Sequence, residues 1–182
     1  MNVCFTGHRP NKLGGYDWNT KKNQVIMDKL KGLVSKLILE YDATHFICGG
    51  ALGIDQMAFT TCEITKLNYS HITTELAIPF LMQDCKWVSS SIELYNNQKR
   101  CADIVTYVDK LEDYKIKGYQ EDIYYPAKMQ KRNEYMVNNS DIVVAVWDGT
   151  KGGTANCVGY AKKQGKTIIK LDPNTLKIEI IK

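Results

Sequence analysis

Long apolar runs are missing from this sequence, and no stretch approaches the ~20 apolar residues that a membrane-spanning helix needs. Metal-binding spacing is missing too. The six cysteines, Cys4, Cys48, Cys62, Cys85, Cys101 and Cys157, form no CxxC pair, and no Cys/His cluster has zinc-finger spacing. Several lie inside apolar runs, as in CFTG and FICGG, so they read as small buried hydrophobes in a reducing compartment. The first five residues form a short apolar run that ends in a turn, which does not read as a signal peptide. A cytoplasmic protein with no membrane partner, no metal and no cofactor is therefore expected.

Charge of one sign is also scarce. The 182 residues carry a formal net charge of only +4. That excess is too small to argue for nucleic acid by itself, and no basic run interleaves with aromatics. On these grounds nucleic acid is not expected as a partner. The same small excess does fit a pocket built for an anion. Repeats, low-complexity tracts and linkers are absent, and the length suits one domain spanning residues 1–182, since domains run to roughly 100–200 residues.

What the sequence does contain is alternation. Residues 2–6 are apolar and closed by Gly7, which reads as a buried strand. Residues 19–41 carry Val25, Ile26, Leu30, Leu33, Val34, Leu37 and Ile38 at helical spacing. Further strands are expected at 44–48, 75–78, 103–107, 141–147, 166–171 and 176–181. Helices are expected between them at 54–66, 89–101, 128–138 and 154–164, and the tyrosine-rich stretch 108–126 reads as an inserted loop. Strands that alternate with helices predict an α/β three-layer sandwich, a mostly parallel sheet flanked by helices. Such sheets bind ligands beyond the carboxyl ends of their strands, so the exit turns are the places to search.

Three exit turns carry special sequence. The first is Thr6-Gly7-His8-Arg9-Pro10, where Thr6 and backbone amides can bond a phosphate oxygen and Arg9 offers a planar two-pronged donor. His8 can donate a hydrogen bond or act as a general acid. The second runs from Gly49 through Gly50 and Gly53 to Asp55, after a strand and before a helix, the context of a phosphate-binding glycine loop. Its spacing is not GxGxxG. Asp55 either caps the helix or bonds a ribose hydroxyl or a base. The third is Asp148-Gly149-Thr150-Lys151-Gly152-Gly153-Thr154, which follows the most apolar strand and again opens a helix. Gly152, Gly153 and Thr154 can repeat the anion-cradling geometry. Arg132 and Asn133 fall in the amino-terminal half of the preceding helix, nearer the ligand end, as added phosphate or base contacts. Trp87, Tyr95, Tyr124, Tyr125 and Trp147 can stack on a base or pack a core.

The motifs FTGHRPNKLGGY at 5–16, GGALGIDQMA at 49–58, MQKRNEYMVNNSD at 129–141 and AVWDGTKGGTANCVGYA at 145–161 resemble, in order, those of the SLOG superfamily and its YpsA-like branch. The resemblance implies a Rossmann-like fold, a homodimer, and a nucleotide or nucleotide-derived ligand related to ADP-ribose or NAD. The superfamily includes the LOG phosphoribohydrolases and the DNA-processing protein DprA. The LOG enzymes carry PGGxGTxxE, whose glutamate serves cleavage of an N-glycosidic bond. Aligned on Gly153-Thr154, this chain has Cys157 in the glutamate position. A thiol does not replace a carboxylate against an oxocarbenium-like charge. The expectation is therefore a protein that binds or senses its ligand, with hydrolysis of an N-glycosidic bond as the alternative and no residue singled out as catalytic.

Overall fold

The computed structural model describes residues 1–181. In chain order the elements are β1 (Asn2–Gly7), α1 (Lys21–Tyr41), β2 (His45–Cys48), α2 (Ile54–Lys66), β3 (Thr73–Ile78), α3 (Ser89–Cys101), β4 (Ile104–Tyr107), α4 (Pro126–Asn138), β5 (Ile142–Val146), α5 (Gly153–Lys163), β6 (Thr167–Leu171) and β7 (Ile178–Ile181). The strands form one sheet in the order β4-β3-β2-β1-β5-β6-β7. All neighbours pair in parallel except β6 and β7, which are antiparallel.

Two-residue periodicity divides the strand side chains between two cores. Val3, Phe5, Phe46, Cys48, Leu76, Ile78, Ile142, Val144 and Val146 pack with α1 and α2 on one face. Cys4, Ile47, Ala77, Val143, Ala145 and Ile168 pack with α4 and α5 on the other. Small residues on the second face let those helices lie close, and the result is the three-layer α/β arrangement predicted from the alternation. Both faces of the central strands are covered, which is why they read as continuous apolar runs.

Element ends shift from expectation by up to two residues, and the 108–126 stretch is more than a bare loop. β3 starts at Thr73 because Thr74, although buried, is satisfied by polar partners: its hydroxyl donates to Glu63 at 2.6 Å and its amide to Asp103 at 2.8 Å. The stretch 108–126 contains short 3-10 turns at Val108–Lys110 and Glu112–Tyr114. It is held to α4 by a buried ion pair, Lys128 Nζ to Asp109 Oδ2 at 2.9 Å, and Lys128 also donates to the Gln120 carbonyl. Of the cysteines, Cys4, Cys48, Cys62 and Cys157 are buried, while Cys85 and Cys101 are exposed. No helix among the described residues is long and apolar enough to cross a membrane.

Candidate functional site

From β1 the chain steps outward through β2, β3 and β4, then returns to the opposite side of β1 with β5. The loops leaving β1 and β5 therefore part in opposite directions and open a crevice at their carboxyl ends. A cavity of about 400 Å³ fills it, lined by Thr6, Gly7, His8, Arg9, Asn11, Lys12, Ala51, Asp55, Tyr124, Met129, Arg132, Asn133, Thr150, Lys151, Gly152, Gly153 and Thr154. Ten residues named from sequence meet here: Thr6, Gly7, His8, Arg9, Asp55, Arg132, Asn133, Gly152, Gly153 and Thr154. Gly49, Gly50, Gly53 and Asp148 do not line it.

The two glycine loops do different work. The 152–154 turn is open: a Cβ added at Gly152 or Gly153 would meet nothing within 4 Å. It starts α5, whose first turn has neither a side-chain cap nor an acidic residue. The leading amides of that helix are left for an anion, and the helix dipole favours one.

The 49–53 turn is filled by protein. A Cβ at Gly49 would fall 1.5 Å from Arg132 Nη1, and the Gly49 carbonyl accepts from that atom at 2.6 Å. Gly53 has φ +98°, and a Cβ there would lie 2.4 Å from the His8 carbonyl. That carbonyl accepts from the Ile54 amide at 3.1 Å, so the first amide of α2 is already satisfied by the chain leaving β1. The phosphate-cradling expectation for Gly49, Gly50 and Gly53 is corrected accordingly. These glycines allow close backbone and side-chain packing, and spacing alone does not distinguish that use from anion binding.

Arg132 forms the floor. It is buried, donates to Gly49, and pairs with Asp55 Oδ2 at 3.1 Å, while its Nε donates to Asn133 Oδ1 at 3.1 Å. Asp55 is thus engaged by Arg132 rather than held free as a cap. Arg9 differs: its carbonyl accepts from the Lys12 amide at 3.0 Å, but among the described residues its guanidinium has no ion-pair or hydrogen-bond partner. Crowding by protein and repulsion from Arg132 lower its pKa, opposed by Asp55, yet a guanidinium keeps its proton in any such setting. The lining carries Arg9, Lys12, Arg132 and Lys151 against the single carboxylate of Asp55. The cavity is therefore electropositive.

Asp148 stands just outside the lining. Its Oδ1 accepts from the Thr150 hydroxyl at 2.6 Å and amide at 3.0 Å and lies 2.7 Å from His8 Nε2. The Thr150 hydroxyl bond, together with the Thr150 amide and His8, outweighs desolvation and holds this carboxyl well below the usual carboxylate range. Lys12 Nζ donates to Thr150 Oγ1 at 2.5 Å, so the β1 and β5 loops are tied across the rim. Cys157 is fully buried in the α4/α5 core, and burial pushes its thiol up to about 11 despite a hydrogen bond from Thr6. It does not line the cavity.

Lining residues that the sequence reading missed are Asn11, Lys12, Ala51, Met129, Thr150 and Lys151. Lys12 and Lys151 lie inside motifs already singled out, and their basic character in a glycine-rich turn was the available signal. Asn23 also went unnoticed. It is buried in α1 and pins the 14–17 turn through bonds to Gly14, Gly15 and Asp17. No local pattern marks such a residue.

Comparison with known proteins places these features in a family. The model described as the YspA SLOG family (YpsA) matches residues 3–178. An uncharacterized SPbeta prophage-derived protein YoqJ of Bacillus subtilis is 41% identical over 151 residues, covering 82% of this chain and 88% of that protein. A UPF0398 protein of Halalkalibacterium halodurans is 26% identical, covering 84% and 75%.

Among solved structures, DprA from Streptococcus pneumoniae aligns with TM-score 0.58 at 15% identity, over 94% of this chain and 50% of that one. DprA from Helicobacter pylori, described by its single-stranded DNA binding mode, aligns with TM-score 0.58 at 16% identity, over 94% and 65%. This chain spans only half to two thirds of those proteins. The expectation that nucleic acid is no partner is corrected by this likeness, because a protein of the same fold binds single-stranded DNA and a net charge summed over the chain does not report local charge. The family match over nearly the whole chain and the close YoqJ relative together show that this chain belongs to the YpsA-type SLOG family.

Proposed function

We propose that this protein binds a nucleotide or nucleotide-derived ligand of the ADP-ribose or NAD type, with a phosphate seated between the amino terminus of α5 and Arg9. The observation that carries this reading is the uncapped start of α5 opening on the same cavity as an unpaired guanidinium. Cation, backbone amides and helix dipole converge on one place, and each favours an anion. A single DNA strand presents the same phosphate chemistry, and the DprA likeness makes it the second reading.

Binding is favoured over hydrolysis by the state of the acids. The position of the LOG glutamate is a buried cysteine. Asp55 is engaged by Arg132, and Asp148 by Thr150 and His8 outside the cavity lining, so neither offers a free carboxylate to an oxocarbenium-like charge. Glu63 accepts from Thr74 and does not line the cavity.

Thermal melting in AMP, ADP-ribose, NAD, inorganic phosphate and a single-stranded oligonucleotide tests the reading. A ligand at about 100 times its Kd stabilises the native state by about 2.7 kcal/mol. For a chain of this size that raises Tm by about 5 °C or more. No shift with any nucleotide at millimolar concentration would sink the proposal, and a salt-sensitive shift with the oligonucleotide alone would favour the second reading.

A further inference from the structure

A second cavity, of about 370 Å³, adjoins the first and shares Arg9, Tyr124 and Met129 with it. Its other walls are richer in apolar surface: Phe80, Met82 and Trp87 supply broad apolar and aromatic faces, beside Gln83, Cys85 and Lys86. Phe80 and Tyr124 meet edge to face with ring centroids 5.9 Å apart, and Trp87 meets Tyr95 in the same manner at 5.2 Å. Trp87 and Tyr124 thus have fixed neighbours, while the cavity between them is free. The walls come from the loop that leaves β3 and from the end of the 108–126 stretch, on the same carboxyl side of the sheet as the phosphate pocket.

Of the polar residues in this lining, Gln83 is the buried one. Gln83 is 9% exposed, and its Nε2 donates to the Tyr95 hydroxyl at 2.8 Å. Its Oε1 is buried with no hydrogen-bond partner. A buried amide end without a partner is costly, and a hydrogen-bonding group that reaches it removes that cost. Gly50 makes the arrangement possible. A Cβ there would lie 2.9 Å from the Tyr95 ring and 3.3 Å from Gln83 Nε2. The 49–53 turn therefore serves this second cavity by leaving room for its polar anchor.

We propose that this cavity is a nucleobase subsite: a planar heteroaromatic base packs against Trp87 and Tyr124 with its hydrogen-bonding edge at the free end of Gln83. The phosphate of the same molecule lies across Arg9 in the first cavity, so the inference rests on the phosphate reading above. The amide of Gln83 can turn over and present oxygen or NH2, since the Tyr95 hydroxyl can serve as acceptor or donor to whichever end faces it. The subsite is thereby matched to a base edge of either kind, whereas a bare sugar phosphate leaves it empty.

Titration calorimetry with AMP and with ribose 5-phosphate tests this. AMP is expected to bind about tenfold or more tightly than ribose 5-phosphate, the scale of base–aromatic stacking. Gln83→Leu should reduce that ratio. Met82→Trp, at a half-exposed loop position that leaves the Gln83–Tyr95 bond intact, should fill the cavity and abolish the ratio, with ribose 5-phosphate affinity unchanged. Cys85 is exposed and lines this cavity, so in a Cys101→Ser background its reaction with a disulfide reagent should be slowed by AMP and not by ribose 5-phosphate. Equal binding of the two compounds, or full AMP affinity in Met82→Trp, overturns the subsite and leaves the phosphate reading standing. Failure of both compounds to bind overturns the phosphate reading and the subsite with it.

Discussion

Arg9 and Arg132 are both guanidiniums on one cavity, yet they are built for different tasks. Arg132 is buried and committed to Gly49, Asp55 and Asn133. Arg9 lines the same space with a guanidinium that has no protein partner among the described residues. Their neighbours therefore predict opposite consequences of substitution. Arg9→Ala should lower affinity for a phosphate-bearing ligand by tenfold or more, the scale of a lost charged hydrogen bond at about 1.5–3 kcal/mol. Its melting temperature should stay close to that of the parent, because no ion pair or side-chain hydrogen bond among the described residues is removed. Asp55→Ala should instead destabilise by about 3–5 kcal/mol, since it leaves Arg132 buried without its counter-charge. Calorimetric affinity read beside urea unfolding separates the two, and an Arg9→Ala protein that melts early but binds normally would overturn the assignment.

The turns show how one sequence signal covers two physical uses. Both glycine runs follow a strand and precede a helix, and both fit the pattern of an anion loop. Around Gly49 the space is taken by Arg132 and Asp55; around Gly153 it is open. Gly49→Ala should therefore cost about 1–3 kcal/mol by overpacking, because the Arg132 guanidinium must move off its carbonyl and carboxylate partners. Gly153→Ala, in the first turn of α5, should leave stability unchanged or raise it by up to about 1 kcal/mol while adding a methyl where the ligand would sit. Chemical denaturation of the two variants decides this, and similar losses in both would contradict the distinction. The alternation of elements was legible because periodicity is a local property. The assignment of each glycine run was not, since Arg132 lies 83 residues from Gly49 and no local pattern links them.

On the scale of the whole molecule, the end of the sheet away from the cavities has its own polar anchor. Glu75 in β3 accepts from His45 at 3.0 Å, Tyr135 at 2.7 Å and Thr106 at 2.7 Å, so β2, β3, β4 and α4 meet at one buried carboxylate. Burial alone would raise its pKa, but the hydrogen bonds from His45, Tyr135 and Thr106 together outweigh it and the pKa is lowered from 4.5. A depressed folded pKa means that this group adds stability above its unfolded pKa and loses it as pH falls through the folded value. Acid unfolding below about pH 4.5 should thus be shallower in Glu75→Gln than in the parent. That variant should also be less stable at neutral pH, by about 1–3 kcal/mol, through the weakened pairing of its three donors. Identical slopes of stability against pH in the two proteins would remove Glu75 from the account.

The α/β class, the order of strands and helices, and the turns worth searching were all legible in the chain's residues. Each of these follows from hydrophobic period, turn chemistry or motif order within a short window. Ten of the residues singled out from sequence line one cavity, because carboxyl-end loops of a parallel sheet must share one side. The fold settles which strands are neighbours, that β1 and β5 flank the switch point, and that the 49–53 glycines serve packing while the 152–154 turn faces open space. It also decided that Arg132 is a buried floor and Arg9 a free cation. Those distinctions depend on who occupies the space beside a residue, and that is set by contacts between segments far apart in the chain.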